Sequence, residues 1–266
     1  MRAEIQEGHQ RYMALSGLLT VIAGGAAAAL LAWLSHRFLH RHNLPDTGPA
    51  VGTAAGAVFS FFVITIAFLL VNSTGSLVSA RQNNYAEAGA LVDLYLAAGR
   101  LPEPTKHQIR SHTEEYFRQV ITEEWPQMAR GSIDLDTWGT VYQLKNIVQD
   151  LPPDAPARAA GDANTAVAKL LGERRTRAAS THDEAPDFLL YTLVGAAVLS
   201  IVFLALLGWP RGRRGVIMIA IVGGMFSFGI WLVLQINHPY GSGVRVAPTA
   251  FVEAVQRIDL IKRDGY

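Results

Sequence analysis

VFSFFVITIAFLLVNSTGSLVSARQNNYAEAGALVDLYLAA, residues 58–98, starts as a membrane span and finishes as a polar helix. Residues 58–71 carry no charge, and the apolar run extends back to Val51. A helix crossing the hydrocarbon needs about 20 such residues. Charges then arrive singly, at Arg81, Glu87 and Asp93, with no proline until Pro102. Gly99, Pro102 and Pro104 are the first strong stop, since proline has no N–H for the helix ladder and glycine ends helices readily. The reading is one helix that spans a membrane and continues beyond it.

Three further stretches have span length and lack Asp, Glu, Lys and Arg: about 15–34, 188–207 and 216–236. Lipid offers the backbone no hydrogen bonds, so all four spans are helices. Trp33, Trp209 and Trp231 lie near span ends, where an amphipathic ring favours the interface. Gly24-Gly25 and Gly223-Gly224 allow helices to approach closely. The class is an all-α integral membrane protein, multi-pass in the cell membrane, with lipid as an obligate partner.

Composition agrees. Of 266 residues, 50% are hydrophobic and only 17% charged, low for a soluble domain. The net charge of +1 gives no field for nucleic acid. There is no cysteine, which excludes disulfides, cysteine-ligated metals and a thiol nucleophile. Spans without ionisable groups argue against a proton-coupled pump.

The chain divides into a first membrane hairpin (1–72), a polar helical insert (73–186), a second hairpin (187–236) and a C-terminal turn with a docking helix (237–266). In the insert, Ile109, Thr113, Tyr116, Phe117, Val120 and Ile121 recur at helical spacing over 105–128, with Pro126 expected to kink or end that helix. Val141, Leu144, Val148 and Leu151 mark a helix over 136–151, and Val167, Leu170 and Leu171 another over 165–180. After Pro248, Phe251, Val252, Val255, Ile258 and Ile261 form an amphipathic tail. Short arginine-bearing loops (Arg37, Arg41; Arg211, Arg213, Arg214) favour one membrane orientation, and Arg81, Arg174, Arg175 and Arg177 the other. Both orientations stay open.

Several groups invite a chemical reading. Phe61, Thr65, Phe68 and Asn72 follow i, i+4, i+7, i+11, one helix face. In a ring of subunits that face would give two aromatic constrictions, a hydroxyl layer and an amide layer, able to gate by dewetting; the alternative is that Phe61 and Phe68 pack against neighbouring spans and Thr65 bonds within its own helix. Glu87 and Asp93 lie on the extension of that helix; they face a vestibule or pair with Arg81 or Arg100. Glu114-Glu115 and Glu123-Glu124 read as a solvated face, and Arg174, Arg175 and Arg177 as partners of lipid headgroups. His36 and His40 are one turn apart and, with His42 or Asp46, could approach a metal, but water and headgroups are the ordinary fate of interfacial histidines. No metal site is assigned and no cofactor is called for. Asn237-His238-Pro239-Tyr240-Gly241-Ser242-Gly243 ends the last span: Pro239 stops the helix and the glycines permit the turn.

This layout, with Asn83-Asn84-Tyr85-Ala86-Glu87-Ala88-Gly89-Ala90-Leu91-Val92-Asp93-Leu94-Tyr95, Leu101-Pro102, Glu124-Trp125-Pro126 and the Asn237–Gly243 turn, resembles the bacterial bestrophin-like family. Asn237 stands where that family usually has Asp, Tyr240 where Phe is common, and Gly241 is extra. The wider resemblance is to bestrophins, pentameric anion channels with an apolar neck on the second span. It implies a homo-oligomer, pentameric by resemblance, that conducts inorganic ions, with anions such as chloride favoured, and no enzyme activity. It also implies that the Asn237, His238, Pro239, Tyr240 turn meets a pore mouth. Calcium gating is not implied, since no acidic run follows Ile236. The alternative is a non-conducting membrane-anchored interaction or sensory protein acting through its insert.

Overall fold

The computed structural model describes residues 2–40, 48–130, 132, 135–181, 186–206, 213–241 and 244–264. Those residues form helices and turns only: α1 Arg2–His40, α2 Gly48–Ala98, α3 Thr105–Gln119, a π-helical turn Val120–Glu124, α4 Trp125–Met128, α5 Leu135–Gln149, α6 Ala157–Ser180, α7 Asp187–Leu206, α8 Arg213–Ile236 and α9 Thr249–Arg263. Four of them are long and apolar enough to cross a membrane. The side chains of His36, His40 and His42, together with Asp46, Trp209, Ser242 and Gly243, lie outside the described residues. Among those that are described, no group of His, Asp and Glu is arranged to hold a metal.

The helix that opens the sequence reading is a single one. α2 runs unbroken for 51 residues, more than twice what a bilayer asks for. It stops where expected: the N–H groups of Gly99, Arg100 and Leu101 turn back to the carbonyls of Leu96, Ala97 and Ala98 at 3.0–3.1 Å.

The chain falls into two compact units. The first holds Met1–Thr74 and Glu184–Asn237. Here α1 packs on α7 and α8, and α7 on α8. The α1–α8 contact is close because glycines face each other. A Cβ on Gly24 would lie 1.8 Å from the Ser227 hydroxyl oxygen, and one on Gly223 would lie 2.1 Å from the Cβ of Ala28. The glycine pairs thus serve contact within one chain. α2 joins this core through Phe62, whose ring centre is 4.4 Å from that of Phe226. Thr20, Thr74, Thr192 and Ser200 return their hydroxyls to the carbonyl four residues back, which satisfies them without water. Only 17–28% of each apolar window is buried within the chain. A helix apolar on all sides is a membrane helix, and the remaining surface is left for lipid or other subunits.

The second unit holds Gly75–Asp183 and His238–Tyr266. α3 packs on α5, α5 on α6, and α9 on α3 and the π turn. Leu91, Leu94, Ile109, Phe117, Leu144, Leu170, Phe251 and Ile258 lie in its core. α6 begins at Ala157, eight residues before the helix read from the sequence. Its first two turns bury only Ala159 and Ala163, too small to register as an apolar stripe. Pro126 sits in the first turn of α4. Just before it the helix widens, and the Trp125 N–H reaches back five residues to Val120.

Candidate functional site

Two constellations stand out, one in each unit. The first is the face of α2 that carries Phe61, Thr65, Phe68 and Asn72. Phe61 is 51% exposed and Phe68 59%, and Asn72 is exposed as well. Thr65 is different: it is 8% exposed and belongs with Phe62, Leu69 and Ser73, the packed side of the helix. The reason is angular. At about 100° per residue, Thr65 lies about 40° from Phe61 toward Phe62, just past the edge of the open face. Ile64 and Val71, at 68% and 74%, are also on the uncovered side. The structure therefore brings Phe61, Phe68 and Asn72 to an uncovered stripe and sets Thr65 at its rim.

The second constellation was not foreseen. Glu87 on α2, Tyr116 on α3, Glu124 on the π turn, and Arg174 and Arg177 on α6 meet inside the second unit, all essentially without solvent contact. Arg177 donates from Nε to Glu87 Oε2 at 2.6 Å and from Nη2 to Glu87 Oε1 at 3.0 Å. The same Nη2 reaches Glu124 Oε2 at 2.9 Å. Arg174 grips Glu124 with two parallel bonds, Nη2 to Oε1 at 2.8 Å and Nη1 to Oε2 at 2.9 Å. Tyr116 closes the set: its hydroxyl donates to Glu87 Oε1 and accepts from Arg174 Nη1 at 2.8 Å. Aromatic faces cover the cations, Trp138 over Arg174 at 4.8 Å and Phe251 over Arg177 at 5.3 Å.

Two carboxylates and two guanidinium groups make the cluster formally neutral. Burial works against the charge of Arg177, but Glu87, Tyr116 and Glu124 outweigh it and hold the guanidinium well above the ordinary arginine value. Arg174 is raised likewise; burial opposes, and Tyr116 and Glu124 overcome it. Burial first, and the charge of Glu87 second, push the Tyr116 hydroxyl well up.

This geometry corrects four readings. Glu87 is 0% exposed and its partner is Arg177, neither Arg81 nor Arg100; a carboxylate so enclosed does not face a permeating ion. Glu124 is not on a solvated face. Arg174 and Arg177 do not reach headgroups, whereas Arg175 between them is exposed. Glu115 and Glu123 do remain outside, paired with Arg118 at 2.5 and 2.6 Å, and Arg118 holds Glu115 below the usual carboxylate range. A signal for the cluster lay in the register: Glu87, Glu124 and Arg174 each sit four residues from an apolar core position, Leu91, Val120 and Leu170 in turn, and Arg177 follows Arg174 by three.

Asp93 is exposed on α2, beside a groove of about 330 Å³ lined with Leu96, Arg100, Asp162, Thr165 and Lys169. In the closing turn, Asn237, Pro239 and Tyr240 are buried and His238 is exposed. The Tyr240 hydroxyl donates to Asn84 Oδ1 at 3.1 Å. The Val246 N–H closes the turn onto the Pro239 carbonyl at 2.8 Å. Trp125 anchors the tail, donating from Nε1 to the Val246 carbonyl at 3.2 Å and meeting Tyr240 and Phe251 edge-on. The Asn237–Tyr240 turn is thus tied into the protein by backbone and side chain alike.

Among curated proteins none matches the sequence. A crystal structure of a bacterial bestrophin homologue from Klebsiella pneumoniae, carrying a point mutation, superposes with a TM-score of 0.70 at 13% identity. The match covers 94% of this chain and 99% of the other. At that identity the likeness is one of fold. The model of the Bestrophin-like domain family matches residues 24–251, from the glycine pair of α1 to the first turn of α9. With the length of the chain accounted for in this way, the protein is a member of the Bestrophin-like family.

Proposed function

We infer that this protein is a homo-oligomeric ion channel whose pore is lined by the α2 face bearing Phe61, Phe68 and Asn72, with Thr65 at its rim. The observation that carries the reading is the two-sidedness of α2. Phe62, Thr65, Leu69 and Ser73 are buried while Phe61, Phe68 and Asn72 are uncovered. A lipid-facing stripe has no use for the Asn72 amide; a water-filled axis has. Rings of Phe61 and Phe68 form apolar constrictions that open by wetting, and rings of Asn72 offer ions a weak, releasable contact. Family membership supports conduction, and the resemblance to bestrophins supports anions as the conducted class and a pentamer as the ring. Asp93, exposed beyond the span, is the acidic residue placed to tune ion sign from a vestibule. His238 is the exposed member of the Asn237–Tyr240 turn and the one able to meet ions at a mouth.

The test is chloride flux from proteoliposomes, with a large impermeant anion replacing chloride in parallel vesicles. Chloride-dependent flux that rises in Phe68→Ala supports the reading. Flux unchanged across Phe61→Ala, Thr65→Ala and Phe68→Ala removes α2 from the pore. Flux indifferent to the anion makes the conducted ions cations. No flux from folded protein favours an interaction protein acting through its insert.

A further inference from the structure

We propose that the buried Glu87–Arg177–Glu124–Arg174 network is the positioning key of α2: it selects one axial and rotational setting of that helix among settings that apolar packing alone would accept. From Ala80 to Ala90 the side chains that α2 buries are Ala80, Asn84, Glu87, Ala88 and Ala90. Alanines make a smooth face, without the large projections that fix a register. Leu91, Leu94 and Tyr95 follow at three- and four-residue spacing, so a slip by one turn lands apolar upon apolar. The polar groups do not tolerate the same slip. It would carry Glu87 into a site of Leu91 type and leave Arg177 to share Glu124 with Arg174, so that a buried carboxylate loses its partners and the core keeps one cation in excess.

Buried ion networks are poor sources of stability and are often matched or exceeded by apolar replacements of like volume; their best attested use is to specify one arrangement. Three features favour that use here. Glu87 is held by the Nε and Nη2 atoms of one arginine, a fork that fixes direction as well as distance. Tyr116, from a third helix, ties the same carboxylate. Glu124 reaches the cluster from a π turn, a local geometry that recurs at functional positions. Glu87 and Arg177 act here as positioning residues. Insofar as the channel reading holds, their effect extends to Phe61 and Phe68, which ride on the same unbroken helix.

The chain has no cysteine, so spin labels can be placed at will. Gln82→Cys on α2 and Lys169→Cys on α6 put two labels on exposed positions of one unit. Labelled chains are diluted with unlabelled ones, and the distance is read by pulsed electron spin resonance. The intact network is expected to give one narrow distance. The apolar quartet Glu87→Met, Glu124→Leu, Arg174→Met and Arg177→Met is expected to melt no lower than the parent, yet to show a second distance population displaced by about 5 Å, one helical turn. A quartet with the parent's single distance overturns the key. If the quartet does not fold, the pair Glu87→Met with Arg177→Met, which leaves Arg174 on Glu124 and the core neutral, decides: a second distance population supports the pair as the selector, and a single parental distance overturns it. Ion flux measured on the same samples is a separate readout. A split distance with no flux from any sample would sink the pore reading and leave the key in place.

Discussion

Arg177 and Glu87, ninety positions apart, form a two-pronged ion pair at 2.6 and 3.0 Å with neither side chain more than 2% exposed. Removing one member leaves the other charged in a dry core, which costs about 3–5 kcal/mol. Glu87→Ala is therefore expected to lower stability by that amount, read from denaturant unfolding followed by tryptophan fluorescence. Arg118→Ala removes two exposed pairs, with Glu115 and Glu123, and is expected to leave the unfolding midpoint unmoved. Equal effects from the two variants would show that the buried pair has no special weight.

Alkali should find the cluster through Tyr116. Burial raises its hydroxyl above the ordinary value of 10.0, so the folded protein keeps that proton after the unfolded chain has begun to lose it. The folded state then binds more protons, and stability falls as pH rises. The contribution is complete below about pH 10 and is lost above it at about 1.4 kcal/mol per pH unit. Tyr116→Phe is expected to flatten that alkaline slope in unfolding curves taken at pH 9 to 11. An unaltered slope would place the sensitivity elsewhere.

The glycines of α1 and α8 make a steric prediction. A methyl at Gly223 meets Ala28 Cβ at 2.1 Å, and neither helix has a flexible tip there to move aside. Gly223→Ala is expected to cost about 1–3 kcal/mol through overpacking and to lower the melting temperature. Gly172→Ala, in the middle of α6 with nothing within 4 Å of the added carbon, is expected to stabilise by up to about 1 kcal/mol. A common direction for both would mean that helix propensity, not contact, decides at Gly223.

Trp125 separates two roles of one side chain. Trp125→Phe keeps a ring against Tyr240 and Phe251 and loses the bond to the Val246 carbonyl; the expected loss is about 1 kcal/mol. Trp125→Ala also opens a cavity and is expected to lose about 3–5 kcal/mol. Limited proteolysis would show the second variant releasing the residues after Pro239 first. Release no faster than in the parent would mean that Glu253, bonded to Tyr85, and Lys262, bonded to Glu114, hold the tail on their own.

The four spans were legible because lipid allows one solution to the backbone problem, and twenty uncharged residues state it outright. The α2 extension was legible because no stop precedes Gly99. α6 was legible only from Thr165 onward, because an alanine face carries too little hydrophobic contrast to show as a stripe. The charge cluster stayed hidden for a different reason. Each of its members looks like surface when judged by residue type. What marks them is position, on the apolar register of three separate helices, and the pairing of opposite signs across ninety and fifty residues is a tertiary fact. Thr65 shows the limit of face assignment: a 40° offset on a helical wheel separates a pore candidate from a core residue.

The π turn at Val120–Glu124 works as a one-residue spacer between α3 and α4. Were the exposed Thr122 deleted from it, the turn would close to ordinary pitch while the helix faces on either side kept their directions. Glu124 would stay with the arginines, and Trp125 with the tail. The segment thus stores one residue of slack in the chain: a deletion there is absorbed, whereas the same deletion in regular α3 would turn everything after it by about 100°.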